Sequence, residues 1–215
     1  MTMEIKDKIF EAYTTYVLEH EKFPTSVFNF CKTSKIEEAD FYKTFGSLDA
    51  IKNAIFETYF VNAFALISKD DKYGESTPKD KLLSFYFTFF EVLLLNRSYV
   101  LFTLGNHQMR LSELTQLKSL RKHFKGFAID LIDEGNAAKE NDFTQHSPKI
   151  FSEAAWIQLL FLLKFWLTDT SPSFEKTDIA IEKSVRTAFD VFDNTPLDAL
   201  FDFGKFIWKE KIKTN

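Results

Sequence analysis

The chain has little of the material that builds disulfide frameworks, sheets or tight turns. Its 215 residues include one cysteine, Cys31, so no disulfide can form within the chain, as is typical of proteins from a reducing compartment. Glycine (6 residues) and proline (5 residues) are scarce. Because few turn residues separate long apolar stretches, the sequence favours helices over strands. We therefore expect an all-α protein.

Patterns typical of enzymes and membrane spans are missing too. The four histidines lack the spacing of metal ligands, and neither a glycine-rich phosphate loop nor a Gly-x-Ser-x-Gly sequence occurs. We expect no catalytic activity, no metal and no cofactor. The N-terminus is charged and has no secretory apolar core, and the most apolar stretch, 156–167, contains Gln158 and Lys164 and is short for a bilayer. These features predict a cytoplasmic protein.

Phenylalanine is abundant, with 26 residues, and apolar side chains recur at helical spacing along most of the chain. Thr25 and Ser47 are placed to cap the second and fourth helices, Gly135 to end the seventh, and Pro148 to begin the eighth. The polar stretch 69–79 is the best linker. We predict about ten helices, at about 4–19, 26–32, 37–44, 47–66, 80–95, 98–104, 112–133, 149–167, 173–192 and, after a break at 194–196, on to about 211.

The segment 30–47 has the layout of a helix-turn-helix, the motif with which many proteins read DNA. A short helix, a tight turn and a second short helix ending in Phe41-Tyr42 are followed by a Phe-Gly-Ser link to a longer helix. We expect a three-helix domain of this type at residues 1–48 and a larger helical bundle at 49–215.

The same segment resembles the signature of TetR-type transcriptional regulators. Phe30-Cys31 stands where that family usually has Ile-Ala, Ile36 stands at its Val, and Phe41-Tyr42 matches its Phe-Tyr. Phe45, Ser47 and Ile51 then follow the family's Phe-x-Ser-Lys-x-x-Leu, with Leu48 in place of the Lys. The resemblance implies a DNA-binding domain joined to a helical domain that binds a small effector and forms a homodimer.

The resemblance also implies roles for particular residues. The dimer interface is expected in the helices at about 149–167 and 173–192, which would set two recognition helices on a palindromic operator roughly 34 Å apart. Contacts with the phosphates of DNA are expected from Thr25, Ser26, Tyr42 and Lys43. Contacts with base edges are expected from Lys35, Glu38 and Asp40.

The net charge of the N-terminal region argues against DNA binding. Residues 1–60 contain seven lysines, no arginine and ten carboxylates, a net charge of −3. The recognition helix opens with Glu37, Glu38 and Asp40, and carboxylates repel phosphate, although they can accept from cytosine N4. The alternative is a lipid- or isoprenoid-binding protein that kept the fold and lost DNA binding. The architecture is also similar to that of the TetR-fold lipid-binding protein of coenzyme-Q biosynthesis.

The larger domain is rich in aromatic side chains that are candidates for an apolar effector site. Sites for apolar ligands combine aromatic walls with one or two polar anchors. The predicted ligand-binding residues are Phe85, Phe89, Phe102, His107, Gln158, Phe161 and Phe165. Aromatic residues at helical spacing are also the ordinary content of a core. The amphipathic segment 197–209 is expected either to pack on its own domain or to lie on a membrane surface.

Overall fold

A computed structural model describes residues 4–105, 114–137 and 147–194, with the side chains of 192–194 excepted. In these residues the chain forms nine α-helices and no strand, which confirms the predicted fold class. The predicted last helix, after 194–196, lies outside the described residues. The helices are α1 (Ile5–His20), α2 (Val27–Ser34), α3 (Glu38–Thr44), α4 (Leu48–Ile67), α5 (Pro78–Leu94), α6 (Arg97–Leu104), α7 (Lys118–Ala137), α8 (Pro148–Thr168) and α9 (Glu175–Asn194).

Serine side chains fix the starts of two helices. The Ser47 hydroxyl accepts from the Ala50 amide at 3.1 Å, so its predicted role as the cap of α4 is confirmed. The prediction that Thr25 caps α2 is wrong. Ser26 has the extended backbone of an N-cap, and its Oγ accepts from the Asn29 amide at 3.2 Å, so the cap lies one residue later.

The end of α7 also differs from the prediction. Gly135 was expected to end the helix, but no described glycine has a positive φ, and α7 continues through Gly135 to Ala137. The extra turn carries Glu134, whose carboxylate accepts both 2.7 Å hydrogen bonds from the buried Lys81 ammonium. The connection between the predicted helices at about 112–133 and 149–167 therefore begins later, and most of it lies outside the described residues. Pro148 is the first residue of α8, as predicted.

The chain divides into two compact units. The first comprises Met1–Asp70 and Thr88–Phe124, and the second Asp71–Phe87 and Lys125–Asn215. The division into a DNA-binding-type domain at residues 1–48 and an effector-binding domain at 49–215 stays a prediction. Each unit has its own apolar core. Fully buried side chains of the first include Ile9, Tyr13, Phe30, Phe41 and Ile51, and those of the second include Phe85, Tyr86, Leu159, Leu162 and Ile181.

A buried carboxylate sets the turn between α8 and α9. Asp169 Oδ1 accepts from the amide and hydroxyl of Ser171 at 2.8 and 2.6 Å, and Oδ2 accepts from the amide and hydroxyl of Thr177 at 3.0 and 2.7 Å. Burial alone raises the pKa of a carboxyl, but here the four hydrogen bonds outweigh it and lower the pKa of Asp169 to about 2. Asp169 therefore ties the end of α8 to the first turn of α9.

The Asp169→Ala variant is expected to lose about 1–3 kcal/mol of unfolding free energy at neutral pH, because buried donors lose their acceptor. The folded pKa lies below the ordinary 3.8, so Asp169 stabilises fully above about pH 4 and this contribution disappears as the pH falls toward 2. Urea denaturation at several pH values measures it. The Asp169→Ala variant is compared with the unchanged protein at each pH. An equal difference in unfolding free energy between them at pH 7 and at pH 2 would contradict this role of Asp169.

Candidate nucleic-acid interface and apolar groove

Phe30 packs the three N-terminal helices together. Its side chain is fully buried, and its ring meets those of Tyr13 and Tyr16 of α1 edge-on, with centroids 5.6 and 6.1 Å apart. It meets Phe41 of α3 in the same way, at 6.1 Å. Cys31 beside it is buried as well. These ring contacts hold α3 against α1 and α2.

The turn between α2 and α3 has a left-handed residue. Lys35 has φ 56° and ψ 41°, and its amide donates to the Cys31 carbonyl. The Ile36 amide donates to the same carbonyl at 3.0 Å. A left-handed conformation costs an L-residue roughly 1–2 kcal/mol, so glycine is usual at such a position. The chain instead keeps a lysine here, with its side chain exposed next to the start of α3.

Two exposed side chains of α3 suit phosphate binding. The Tyr42 side chain is 55% exposed, and Lys43 is exposed as well. The Lys43 ammonium, however, contacts Asp40 Oδ1 at 2.9 Å, one turn earlier on the same helix. Asp40 therefore competes with any phosphate for the only cation of α3.

The other carboxylates of this region lie at the beginning of α3. Glu37 is the N-cap residue and Glu38 the first residue of the helix, where the positive end of the helix dipole stabilises negative charge. Both carboxylates also act on the nearby buried thiol. The pKa of Cys31 is raised mainly by burial and further by the negative charges of Glu38 and Glu37. Helix stability is therefore sufficient to explain their position.

All seven predicted DNA-contacting residues lie in the segment 25–43 of the first unit and none is fully buried: Thr25, Ser26, Lys35, Glu38, Asp40, Tyr42 and Lys43. The sequence analysis missed Phe28, which is 58% exposed on α2. The Lys32 ammonium lies 5.9 Å from the centre of its ring. The available signal in the sequence was the spacing of Phe28 and Lys32, four residues apart in a short predicted helix.

The second unit has an apolar groove between α8 and α9, with a volume of about 550 Å³. Small side chains leave the space, because four alanines line it. The Phe161 side chain forms part of its wall and is 57% exposed. The lining consists of Leu82, Phe151, Ala154, Ala155, Gln158, Phe161, Ala180, Lys183, Ser184, Thr187, Ala188 and Val191.

The floor of this α8–α9 groove has one chain of hydrogen bonds. The buried Tyr86 hydroxyl donates to Gln158 Oε1 at 3.2 Å, and Gln158 Nε2 donates to Ser184 Oγ at 3.0 Å. Burial raises the pKa of Tyr86, so its phenol stays protonated and remains a donor. Gln158 is therefore held in place on both sides of its amide in a mostly apolar lining.

The predicted effector residues are divided between the two units. Gln158 and Phe161 line the α8–α9 groove. Phe85 is fully buried in the second unit, and its ring packs on Phe127 at 4.9 Å. Phe165 packs on Phe161 at 6.4 Å but is not among the groove residues. Phe89 and Phe102 belong to the first unit, and His107 lies outside the described residues.

Helix α8 extends well beyond the apolar stretch 156–167, which the sequence analysis considered short for a bilayer. Its 21 residues, with a mean hydropathy of 1.5, are enough by length and composition to cross a membrane, and α5 with α6 passes the same test as a pair bent by 92°. In α8, 44% of the apolar window is buried inside the protein, and the core helix of a globular domain has the same composition.

The comparisons with known proteins agree with this architecture. Residues 81–207, more than half of the chain, match the family described as tetracyclin repressor-like, C-terminal domain. The chain belongs to this TetR family, as its N-terminal segment indicated. A search of curated proteins finds no match. In the described residues, no group of three His, Cys, Asp or Glu side chains is arranged to hold a metal ion.

A solved structure shares the fold. It is that of the fatty acid degradation regulator FadR from Bacillus halodurans, with a TM-score of 0.54, 13% identity, and coverage of 91% of this chain and 98% of that chain. Both the family and this structure are of regulators rather than enzymes.

The left-handed Lys35 leads to a test with two opposite results. The Lys35→Gly variant is expected to gain about 1 kcal/mol of unfolding free energy, because glycine tolerates the left-handed backbone. The same variant is expected to bind DNA less tightly, because it loses a cation. Lys35→Ala, which loses the charge and keeps the strain, is the matched control. A gain in stability for both variants, measured by urea denaturation, would contradict this account.

The ion pair of α3 leads to a second test. The Asp40→Asn variant is expected to bind all DNA sequences more tightly and to steepen the salt dependence by about 0.9 logarithmic units per protomer, because Lys43 becomes available to phosphate. The control is Asp49→Asn, which breaks the similar pair between Lys52 and Asp49 (3.0 Å) in the same unit. Equal effects of the two variants in titrations of labelled DNA would mean that only net charge matters.

Proposed function

We propose that the protein is a homodimeric transcriptional regulator that binds DNA through α2 and α3 and is controlled by an apolar effector. The observation that carries the DNA part is the turn at Lys35, where the chain keeps a strained cation at the entrance to an exposed recognition-type helix. A glycine would stabilise the fold better at this position. Strained residues that persist are found mainly at functional sites.

The α8–α9 groove supports the effector part. Its volume of about 550 Å³ falls within the range of small-molecule sites, and Gln158, held by Tyr86 and Ser184, is a polar anchor in a mostly apolar lining. The protein of the similar solved structure is a regulator of fatty acid degradation, so compounds with an acyl chain are the first class to test here.

Exposed apolar residues support the dimer. Ile157 of α8 and Ile179 of α9 are 65% and 49% exposed, and neither lines the groove. An interface between two copies would take such exposed apolar side chains out of water. We place the dimer contact on these two helices, as the sequence predicted. An effector then acts on DNA only through a difference in its affinity for two arrangements of the dimer.

A second function, lipid binding without DNA, is favoured by one observation. The only cation of α3 is paired with Asp40, and the domain around it carries net negative charge. If Asp40 keeps Lys43 from phosphate, the helix-turn-helix would serve only as a structural unit.

Selection from random-sequence DNA at low and moderate salt distinguishes the two functions. The regulator predicts enrichment of a palindrome whose half-sites lie about one helical turn apart, roughly 34 Å. The same selection with a charge-reversed Lys43→Glu chain is the control and should give no enrichment. Absence of binding by the unchanged protein even at low salt would exclude the regulator and leave lipid binding.

The groove leads to a separate prediction. A dansyl-labelled decanoate is expected to bind the protein, and Ala188→Trp is expected to weaken this binding at least about tenfold, or 1.4 kcal/mol, because the indole fills the groove. Glu182→Trp, on an exposed position of α9 outside the groove, is the matched control. Equal binding by the two tryptophan variants would place the ligand elsewhere.

A further inference from the structure

The first unit contains a polar cavity with a volume of about 880 Å³, which we call the α4–α6 cavity. It is lined by the beginning of α4, the end of α6 and the turn at 115–118. Its described lining carries three charged side chains, Asp49, Lys52 and Lys118, whereas that of the α8–α9 groove carries Lys183. An apolar ligand gains little from charged and polar walls, so a polar ligand fits this cavity better.

The buried polar side chains of the first unit gather at the same cavity. Apart from tyrosines, the described residues of this unit include two such side chains, Thr103 and Gln116, which are 5% and 8% exposed, and both line the cavity. Gln116 Nε2 donates to the Thr103 carbonyl at 3.2 Å, so the turn at 115–118 is tied to the end of α6. Because burying polar side chains costs free energy, their concentration at one cavity indicates a binding site rather than a gap in the packing.

Asn53 supplies a hydrogen-bond acceptor without a partner. Its Nδ2 donates to the Asp49 carbonyl at 3.1 Å, whereas its Oδ1 is buried and has no hydrogen-bond partner among the described residues. A buried oxygen of this kind needs a donor from a water or a ligand. Asn53 lines the cavity, and the last torsion of an asparagine is soft, so a small rotation presents Oδ1 to a donor there. The cavity therefore fits a ligand with a hydroxyl or amino group.

Two ammonium groups give the cavity its positive charge. Lys52 is held by Phe23, with Nζ 4.5 Å from the centre of the ring, and it contacts Asp49 Oδ1 at 3.0 Å. Lys118 is exposed at the first position of α7. Because the Asp49 side chain is 82% exposed, water screens its attraction for Lys52, and an anionic group of a ligand can replace it. The two lysines therefore favour a ligand with negative charge.

We propose that the α4–α6 cavity binds a small organic anion that also carries a hydroxyl or amino donor. The negative group contacts the ammonium groups of Lys52 and Lys118, and the donor bonds to Asn53 Oδ1. Phosphate esters and hydroxylated carboxylic acids share this chemistry. The site is separate from the α8–α9 groove, and none of its lining residues is among the seven predicted to contact DNA.

Isothermal titration calorimetry of the full chain with AMP and with citrate tests the site and distinguishes a phosphate ester from a carboxylic acid. We expect at least one of these probes to bind about tenfold more tightly than inorganic sulfate, which has the charge but no donor at neutral pH. Asn53→Ala is expected to remove most of this advantage. Failure of both probes to bind, no advantage over sulfate, or the full advantage retained in Asn53→Ala would overturn the proposal.

Three further variants locate the bound anion. Lys118→Ala is expected to weaken binding of the probe about threefold, because a cation is lost, and Asp49→Asn to tighten it by about the same factor, because a competing carboxylate is lost. Lys122→Ala is the matched control, since it removes an exposed lysine one turn later on α7 and outside the lining. Equal weakening by Lys118→Ala and Lys122→Ala, or no tightening by Asp49→Asn, would place the anion elsewhere and overturn the site.

Discussion

The edge-to-face packing of Phe30 is the contact on which the N-terminal part of the protein depends. Helices α2 and α3 have eight and seven residues, too few to be stable on their own in water. They are held because the buried Phe30 ring meets aromatic rings of both α1 and α3. The predicted DNA-contacting residues lie on α3, in the turn between α2 and α3, or, for Thr25 and Ser26, directly before α2.

Within this frame, the charges of the site oppose one another. Lys35 keeps a cation in a backbone conformation that costs free energy, whereas Asp40 occupies the ammonium of Lys43 on the neighbouring helix. The exposed cation of Lys35 favours binding of DNA, and the pairing of Lys43 with Asp40 disfavours it. Because Asp40 lies one turn from Lys43 and both are exposed, water and salt screen their attraction, and a nearby phosphate can replace the carboxylate. An acidic domain of this kind is expected to bind DNA weakly without sequence matches.

The sequence could predict the order of the helices and most of their limits, because periodic apolar residues, Ser47 and Pro148 mark them locally. It misplaced the cap of α2 by one residue, since Thr25 and Ser26 are both good capping residues and only the backbone decides. It could not assemble the groove, whose space is left by Ala154, Ala155, Ala180 and Ala188. Large aromatics such as Phe85 suggested a ligand site but fill the core, because helical spacing does not say which neighbour a side chain meets.

Electrostatic binding of DNA by this acidic helix-turn-helix is the central proposal, and the most direct measurement is the affinity for duplex DNA as a function of salt. If Lys43 of each protomer reaches phosphate, the proposed dimer neutralises two charges through these lysines, and the logarithmic plot has a slope of about −1.8. A slope near zero, or no binding at low salt, would contradict the account and show that the N-terminal helices serve only to fold the domain.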